Sequence, residues 1–259
     1  MRITTWNVNS VRARLPRLLD WIDRSDPDVL CLQELKCTDE QFPRAPFLDR
    51  GYHVEVFGQK AWNGVAIVSR ERPDEVLRGL PVPEDPEARG ISVVVDDVRI
   101  VDLYVINGRE VGHAQYERKL AWLDALRGWL DEHCSPDELL CVCGDFNIAP
   151  QDIDTWDPDA WRERILCSTP ERQRFQALLD WGLVDSFRQF DDRPGWYTWW
   201  DMRTRGFERG QGLRIDHLLI TEGLLDAALD CEIDVDERGR EHPDARPSDH
   251  APVTLTLED

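Results

Sequence analysis

Nine short apolar runs punctuate this chain: RITTWNV, DVLCLQE, GVAIVS, ISVVV, VRIVDLYVI, LLCVCGD, GWYTWW, LRIDHLLI and APVTLTL. Runs of this length read as buried strands. Several stop on, or carry, polar groups for which a buried strand has no structural use. After Leu139–Cys143, Gly144 relaxes the backbone, and Asp145 and Asn147 follow before Pro150 breaks the regularity. Asn7 closes the first run and Glu34 the second; Tyr104 and Asn107 belong to VDLYVING, Asp216 sits inside LRIDHLLI, and Asp249 and His250 precede the last run. A buried carboxylate without a partner is expensive, so each requires a cation, a donor or a metal. Five strands of this kind imply one shared site at an edge of the sheets. Oxygen donors with few cysteines or histidines suit a hard cation, Mg²⁺ or Mn²⁺, better than zinc.

Helical patterns fall between the runs. Tyr116, Leu120, Leu123, Trp129 and Leu130 form one apolar stripe over 114–133, and 11–24 and 171–181 are shorter amphipathic segments. Several neighbouring strands have no helix between them, which argues for a mixed layered α/β domain over a simple alternating parallel sheet. No repeat or linker divides the chain, so one domain over 1–259 is expected, with PVPEDPEARG at 81–90 as a surface loop.

No apolar run approaches the roughly 18 residues of a membrane span. The start, MRITTWNVNS, has no basic-then-apolar leader, and the expected location is the cytoplasm. Seven cysteines without zinc spacing read as buried thiols. The net charge of −20 argues at first against a polyanionic partner. The distribution of that charge reopens the possibility: residues 1–24 carry five Arg against two acids, and 188–214 carry six Arg against four. Arg outnumbers Lys by 28 to 3, which suits bidentate phosphate contacts, although coding bias explains it equally well.

Taken in order, WNVNSVRAR, PDVLCLQELK, NGVAIVSR, GDFNIAP, WGLVDSFR, YTWWDMRTRGF, GLRIDHLL and PSDHAPV resemble the motifs of the exonuclease III family of abasic-site endonucleases, from residue 2 to about 257. The resemblance implies a four-layer α/β/β/α sandwich of two mixed sheets flanked by helices. It implies Mg²⁺-dependent phosphodiester hydrolysis 5′ to abasic sites, with 3′–5′ exonuclease and 3′-phosphodiesterase activity, by a monomer acting on double-stranded DNA. Glu34 is implied as the principal metal ligand, with Asn7 and Asp249 close by. Asp145 matches the residue that activates water, Asn147 its neighbour, and Asp216 the partner of the site histidine, His250. Tyr104, Asn107 and Arg109 match phosphate-contacting positions. Trp199, and more weakly Leu213, match the wall of a pocket for the base-free sugar. His217 points away from Asp216 and reads as structural. Ile106 departs from the family, which usually carries Pro there. The rival readings are a sister phosphoesterase acting on phospholipid headgroups or inositol phosphates, and a DNA-binding scaffold that has lost its chemistry.

Overall fold

Alternation along the apolar strands decides how they stack. In the computed structural model, which describes residues 1–82 and 85–258, the first strands are Arg2–Asn7 (β1), Val29–Gln33 (β2), His53–Phe57 (β3), Val65–Ser69 (β4) and Asp74–Arg78 (β5). Gly90–Val95 (β6), Val98–Tyr104 (β7), Leu140–Asp145 (β8), Leu183–Asp185 (β9) and Trp199–Trp200 (β10) follow. The series ends with Gly212–Leu213 (β11), Asp216–Thr221 (β12), Ala228–Ile233 (β13) and Val253–Leu257 (β14). Two six-stranded sheets result, in the orders β13-β14-β1-β2-β4-β3 and β5-β6-β7-β8-β12-β9, with β10 and β11 paired separately.

Both faces of each sheet are covered. Cys141 and Cys143 of β8 enter a core shared with Ile3, Val29 and Cys31 of the facing sheet. Leu140 and Val142 face the other way, onto Trp122, Leu126 and Phe175 of helices Ala114–His133 and Thr169–Trp181. Leu30 and Leu32 of β2 likewise meet Leu18 and Trp21 of helix Val11–Ser25. The chain is therefore the expected helix–sheet–sheet–helix sandwich. The seven cysteines are free thiols, six of them buried. No helix among the described residues is long and apolar enough to cross a membrane. Of the expected loop at 81–90, Pro83 and Glu84 lie outside the described residues, and Gly90 already begins β6.

Strand direction collects the polar residues at one end. β1 and β2 run parallel, pairing Asn7 with Gln33; β7 and β8 also run parallel, pairing Tyr104 with Asp145. β12 is antiparallel to β8, which sets Asp216 opposite Asp145. β14 is antiparallel to β1, so the residues just before it, Asp249 and His250, return to the same end. Four strands lacked a sequence signal: β3, β5, β9 and β13. They are the four sheet edges: in β3, β5 and β13 charged, solvated side chains blur the apolar pattern, and β9 is only three residues long. GWYTWW is strand only at its last two residues.

Gly144 makes the approach of β7 to the site possible. Its φ is +132°, and a Cβ placed there would lie 1.9 Å from the Leu103 carbonyl oxygen. Gly144→Ala should destabilise the fold by about 3 kcal/mol or more, read as a lowered urea midpoint. Gly128 on helix Ala114–His133 has open space around it, so Gly128→Ala should cost nothing. Equal midpoints for the two variants would refute the close-approach argument.

Candidate active site

The strand ends bring Asp216, His250, Asp145, Asn7 and Glu34 into one series, linked by hydrogen bonds except for an ion pair between His250 and Asp145. His250 Nδ1 lies 2.9 Å from Asp216 Oδ2, and His250 Nε2 lies 3.8 Å from Asp145 Oδ2. The Asn7 carboxamide then donates to Asp145 Oδ2 and to Glu34 Oε1, each at 2.9 Å. The Asn147 amide donates to the second Asp145 oxygen at 2.9 Å. Turning the chain at these strand ends requires left-handed backbone at Asn9, Glu34, Lys36, Arg109 and Asn147, all with positive φ. Such conformations persist where the surroundings overdetermine them, as at functional sites.

Electrostatics divides the labour. Burial opposes the charge on His250, but Asp216 and then Asp145 outweigh it and hold the imidazolium pKa up at about 10. Burial also raises Asp145, to about 7, helped by Asp216 and opposed by His250 and the Asn7 hydrogen bond. The site thus holds a cationic histidine beside a carboxylate whose proton affinity suits exchange with water near neutrality. Burial, together with the charges of Glu34 and Asp145, pushes the Tyr104 phenol well above its ordinary value. Tyr104 is therefore a neutral O–H donor, with the Arg89 guanidinium 5.0 Å from its ring centre.

The remaining residues of interest occupy two sides of this cluster. Asn107 donates to Asn147 Oδ1 at 2.9 Å, and Arg109 stands exposed at the rim of a cavity of about 400 Å³ that Tyr104 and Asn107 also line. Ile106, the departure from the family pattern, is buried in the helix-facing core. On the other side, Trp199 Nε1 donates to Asp249 Oδ2 at 3.1 Å, and Asn9 donates to Asp249 Oδ1 at 2.7 Å. Asp249 thus has both oxygens engaged by neutral donors. Trp199 is partly exposed and packs on a cluster that contains buried Leu213. Trp200 is buried. His217 faces the opposite core, held between Arg214 and the Ile148 carbonyl, and burial lowers its pKa to about 4.

Three contributors escaped the sequence reading. Lys36 Nζ lies 2.9 Å from Glu34 Oε2 and also bonds Asn9 Oδ1. Lys119, fully buried and paired with Glu171, donates to the Asn147 carbonyl at 2.7 Å. Arg214 bridges Asp154 and Asp185 behind the strand that carries Asp216. Only three lysines stand against 28 arginines, and two of them brace this site. That rarity was the signal available.

Glu34, Asp145 and His250 each offer a ligand atom, all within 4.8 Å of one another. The imidazole is engaged by Asp216 and held protonated, so the atoms that fit a cation are the carboxylate oxygens, with the Asn7 carboxamide oxygen beside them. That donor set fits a hard cation.

Residues 4–250 match the model of the endonuclease/exonuclease/phosphatase family. Exodeoxyribonuclease III of Haemophilus influenzae is 34% identical over 98% of each chain. The chain belongs to this family, in its exonuclease III branch. Among solved structures, a 3′–5′ exonuclease from Neisseria meningitidis superposes over the whole of both chains with a TM-score of 0.95 at 45% identity. An AP endonuclease from Archaeoglobus fulgidus does so with a TM-score of 0.95 at 35% identity.

With Asp145 as base and His250 as acid, the pH–rate profile should be bell-shaped, rising as Asp145 loses its proton and falling as His250 loses its own. The Asp216 charge raises both pKa values, so Asp216→Asn should move both limbs to lower pH, the basic limb by about one unit or more. A profile with unmoved limbs would show that Asp216 does not set the charge of His250.

Proposed function

We propose that this nuclease cuts duplex DNA 5′ to abasic sites, and that the same site trims nucleotides and blocking groups from 3′ ends. The observation that carries this is the series Asp216–His250–Asp145–Asn7–Glu34 at one end of the sandwich, joined by hydrogen bonds and by the ion pair of His250 with Asp145. Asp145 Oδ2 takes the proton of the attacking water, with the carboxylate plane fixed by Asn7 and by the Asn147 amide. His250 donates through Nε2 to a non-bridging phosphate oxygen and offsets the charge that develops there. The Tyr104 hydroxyl and the linked carboxamides of Asn107 and Asn147 hold the remaining oxygens in line. Mg²⁺, or Mn²⁺ in its place, would be held by Glu34 with Asn7 and Asp145 alongside, and supplies charge neutralisation at the phosphate and the leaving oxygen. Asp249 acts one step removed, by fixing Asn9 and Trp199.

An abasic nucleotide has no base to unstack or unpair, so turning it out costs less than the few kcal/mol of an intact one. Partly exposed Trp199, backed by Leu213, would pack against the bare sugar, while exposed Arg203, Arg205 and Arg209 reach the flanking backbone.

On a labelled abasic duplex, Asp145→Asn should lower the rate by roughly 10² to 10⁴ while DNA binding is retained. Glu34→Ala should lose activity that excess Mg²⁺ or Mn²⁺ partly restores. Near wild-type turnover by Asp145→Asn at saturating metal would remove Asp145 as the base. Turnover of small phosphoesters without incision of the duplex would favour the sister phosphoesterase.

Trp199→Ala should reduce abasic incision more than exonuclease digestion of intact 3′ ends, measured on matched duplexes in one buffer. An unchanged ratio with an unchanged circular dichroism spectrum would return Trp199 to the packing.

A further inference from the structure

A cavity of about 830 Å³ opens where the chain leads into Ser248, Asp249 and His250. Phe207 and Glu208 form one wall, and residues 238–247 form the other, ending at Pro247, directly before Ser248, Asp249 and His250. The Arg14 guanidinium ties this rim to the site, donating to the Asn9 carbonyl at 2.5 Å and to the Pro247 carbonyl at 3.5 Å.

Arg238 lines the cavity and is only 9% exposed. Among the described residues its guanidinium meets no hydrogen-bond acceptor and no carboxylate within ion-pair range, and its buried Nε has no partner. Its guanidinium lies over the face of the Phe207 ring, 4.9 Å from the centroid, while Asp249 and Glu208 attract it only from beyond ion-pair range. A cation–π contact offsets only a small part of what burying a charge costs. The other buried arginines are treated differently: Arg17 is paired with Glu237, and Arg214 with Asp154 and Asp185. Arg246, exposed on the same wall, also has no acceptor among the described residues. Glu208, Glu241 and Asp244 lie exposed at the cavity's margin, and none is within ion-pair distance of Arg238.

We propose that this cavity is a second phosphate subsite, in which Arg238 and Arg246 grip a backbone phosphate of the DNA strand beyond the one being cut. The planar guanidinium fork matches phosphate oxygens, and a buried unpaired cation awaits an anion brought by the substrate. The cavity far exceeds the space of a free phosphate ion, and its Pro247 wall leads along the chain into Ser248, Asp249 and His250, which favours a nucleotide unit of the bound strand. It also explains how a chain of net charge −20 holds a polyanion: a few sheltered arginines act where the overall field repels.

The subsite rests on the proposed action on DNA, and its test separates the two. Binding of an abasic duplex is measured by fluorescence anisotropy in EDTA, across a salt series, for wild type, Arg238→Gln and Arg246→Gln. Each variant should bind about tenfold more weakly, with a salt slope shallower by about 0.9. Methylphosphonate substitution along the strand should reveal one linkage whose neutralisation costs wild type more affinity than it costs Arg238→Gln, which keeps only the Arg246 contact. Arg246 is exposed, so Arg246→Gln carries the same test without disturbing a buried group. Unchanged affinity and slope in both variants, while wild type binds and cuts the duplex, would overturn the subsite alone. A thermal shift by inorganic phosphate or dAMP that Arg238→Gln abolishes, with DNA binding intact, would assign the cavity to a free phosphate and overturn the DNA assignment. Failure of wild type to bind or cut the duplex would overturn the functional reading and the subsite with it.

Discussion

Two buried carboxylates, Asp145 and Asp216, stand opposite each other on adjacent antiparallel strands, and one histidine keeps them from repelling. Neither carboxylate could remain ionised in that position without a cation within a few ångströms. His250 supplies it, and is in turn held as an imidazolium by the pair. One Asp216 oxygen is still buried without a partner, which leaves its charge directed at the histidine. The rest of the site follows from this charge balance. Asn7 adds a neutral donor that joins Asp145 to Glu34, and Lys36 matches the outer oxygen of Glu34.

Topology makes the balance available. Parallel pairing of β1 with β2 and of β7 with β8 sends Asn7, Glu34, Tyr104 and Asp145 to a common end, and antiparallel β12 and β14 bring Asp216 and His250 back to it. Each of these residues lies within three positions of a strand end, so the two sheets fix its position. Lys119 and Glu171 extend this support into the helical layer. Glu171 accepts from the Ser168 amide and hydroxyl at the start of its own helix, and Lys119 anchors the turn after Asp145.

Much of this architecture was legible in the residues. All eight interior strands announce themselves as apolar runs, because both faces of an interior strand are buried. The edge strands do not, since HVEVF alternates apolar with polar groups and DEVLR sets two apolar residues among charges, as solvated segments do. Polar residues at the ends of apolar runs pointed to the site because burial makes them costly. The bracing residues were harder to find. Arg214 and Lys119 sit in segments whose patterns are satisfied by an ordinary strand and an ordinary helix, and their partners lie 29 to 60 and 52 residues away. Only the folded chain shows that Asp154, Asp185 and Glu171 are their counter-charges. Arg238 was equally silent, because the absence of a partner has no sequence signature.

Everything at the site turns on the protonation state of His250, and that state can be measured. Nitrogen-15 NMR of the metal-free protein, with the imidazole labelled, reports whether both ring nitrogens carry protons. Through about pH 8 the resonances should be those of an imidazolium, with titration only as the pH approaches about 10. A neutral His250 ring at pH 7, in protein whose fold is intact, would contradict the charge balance on which the site is built.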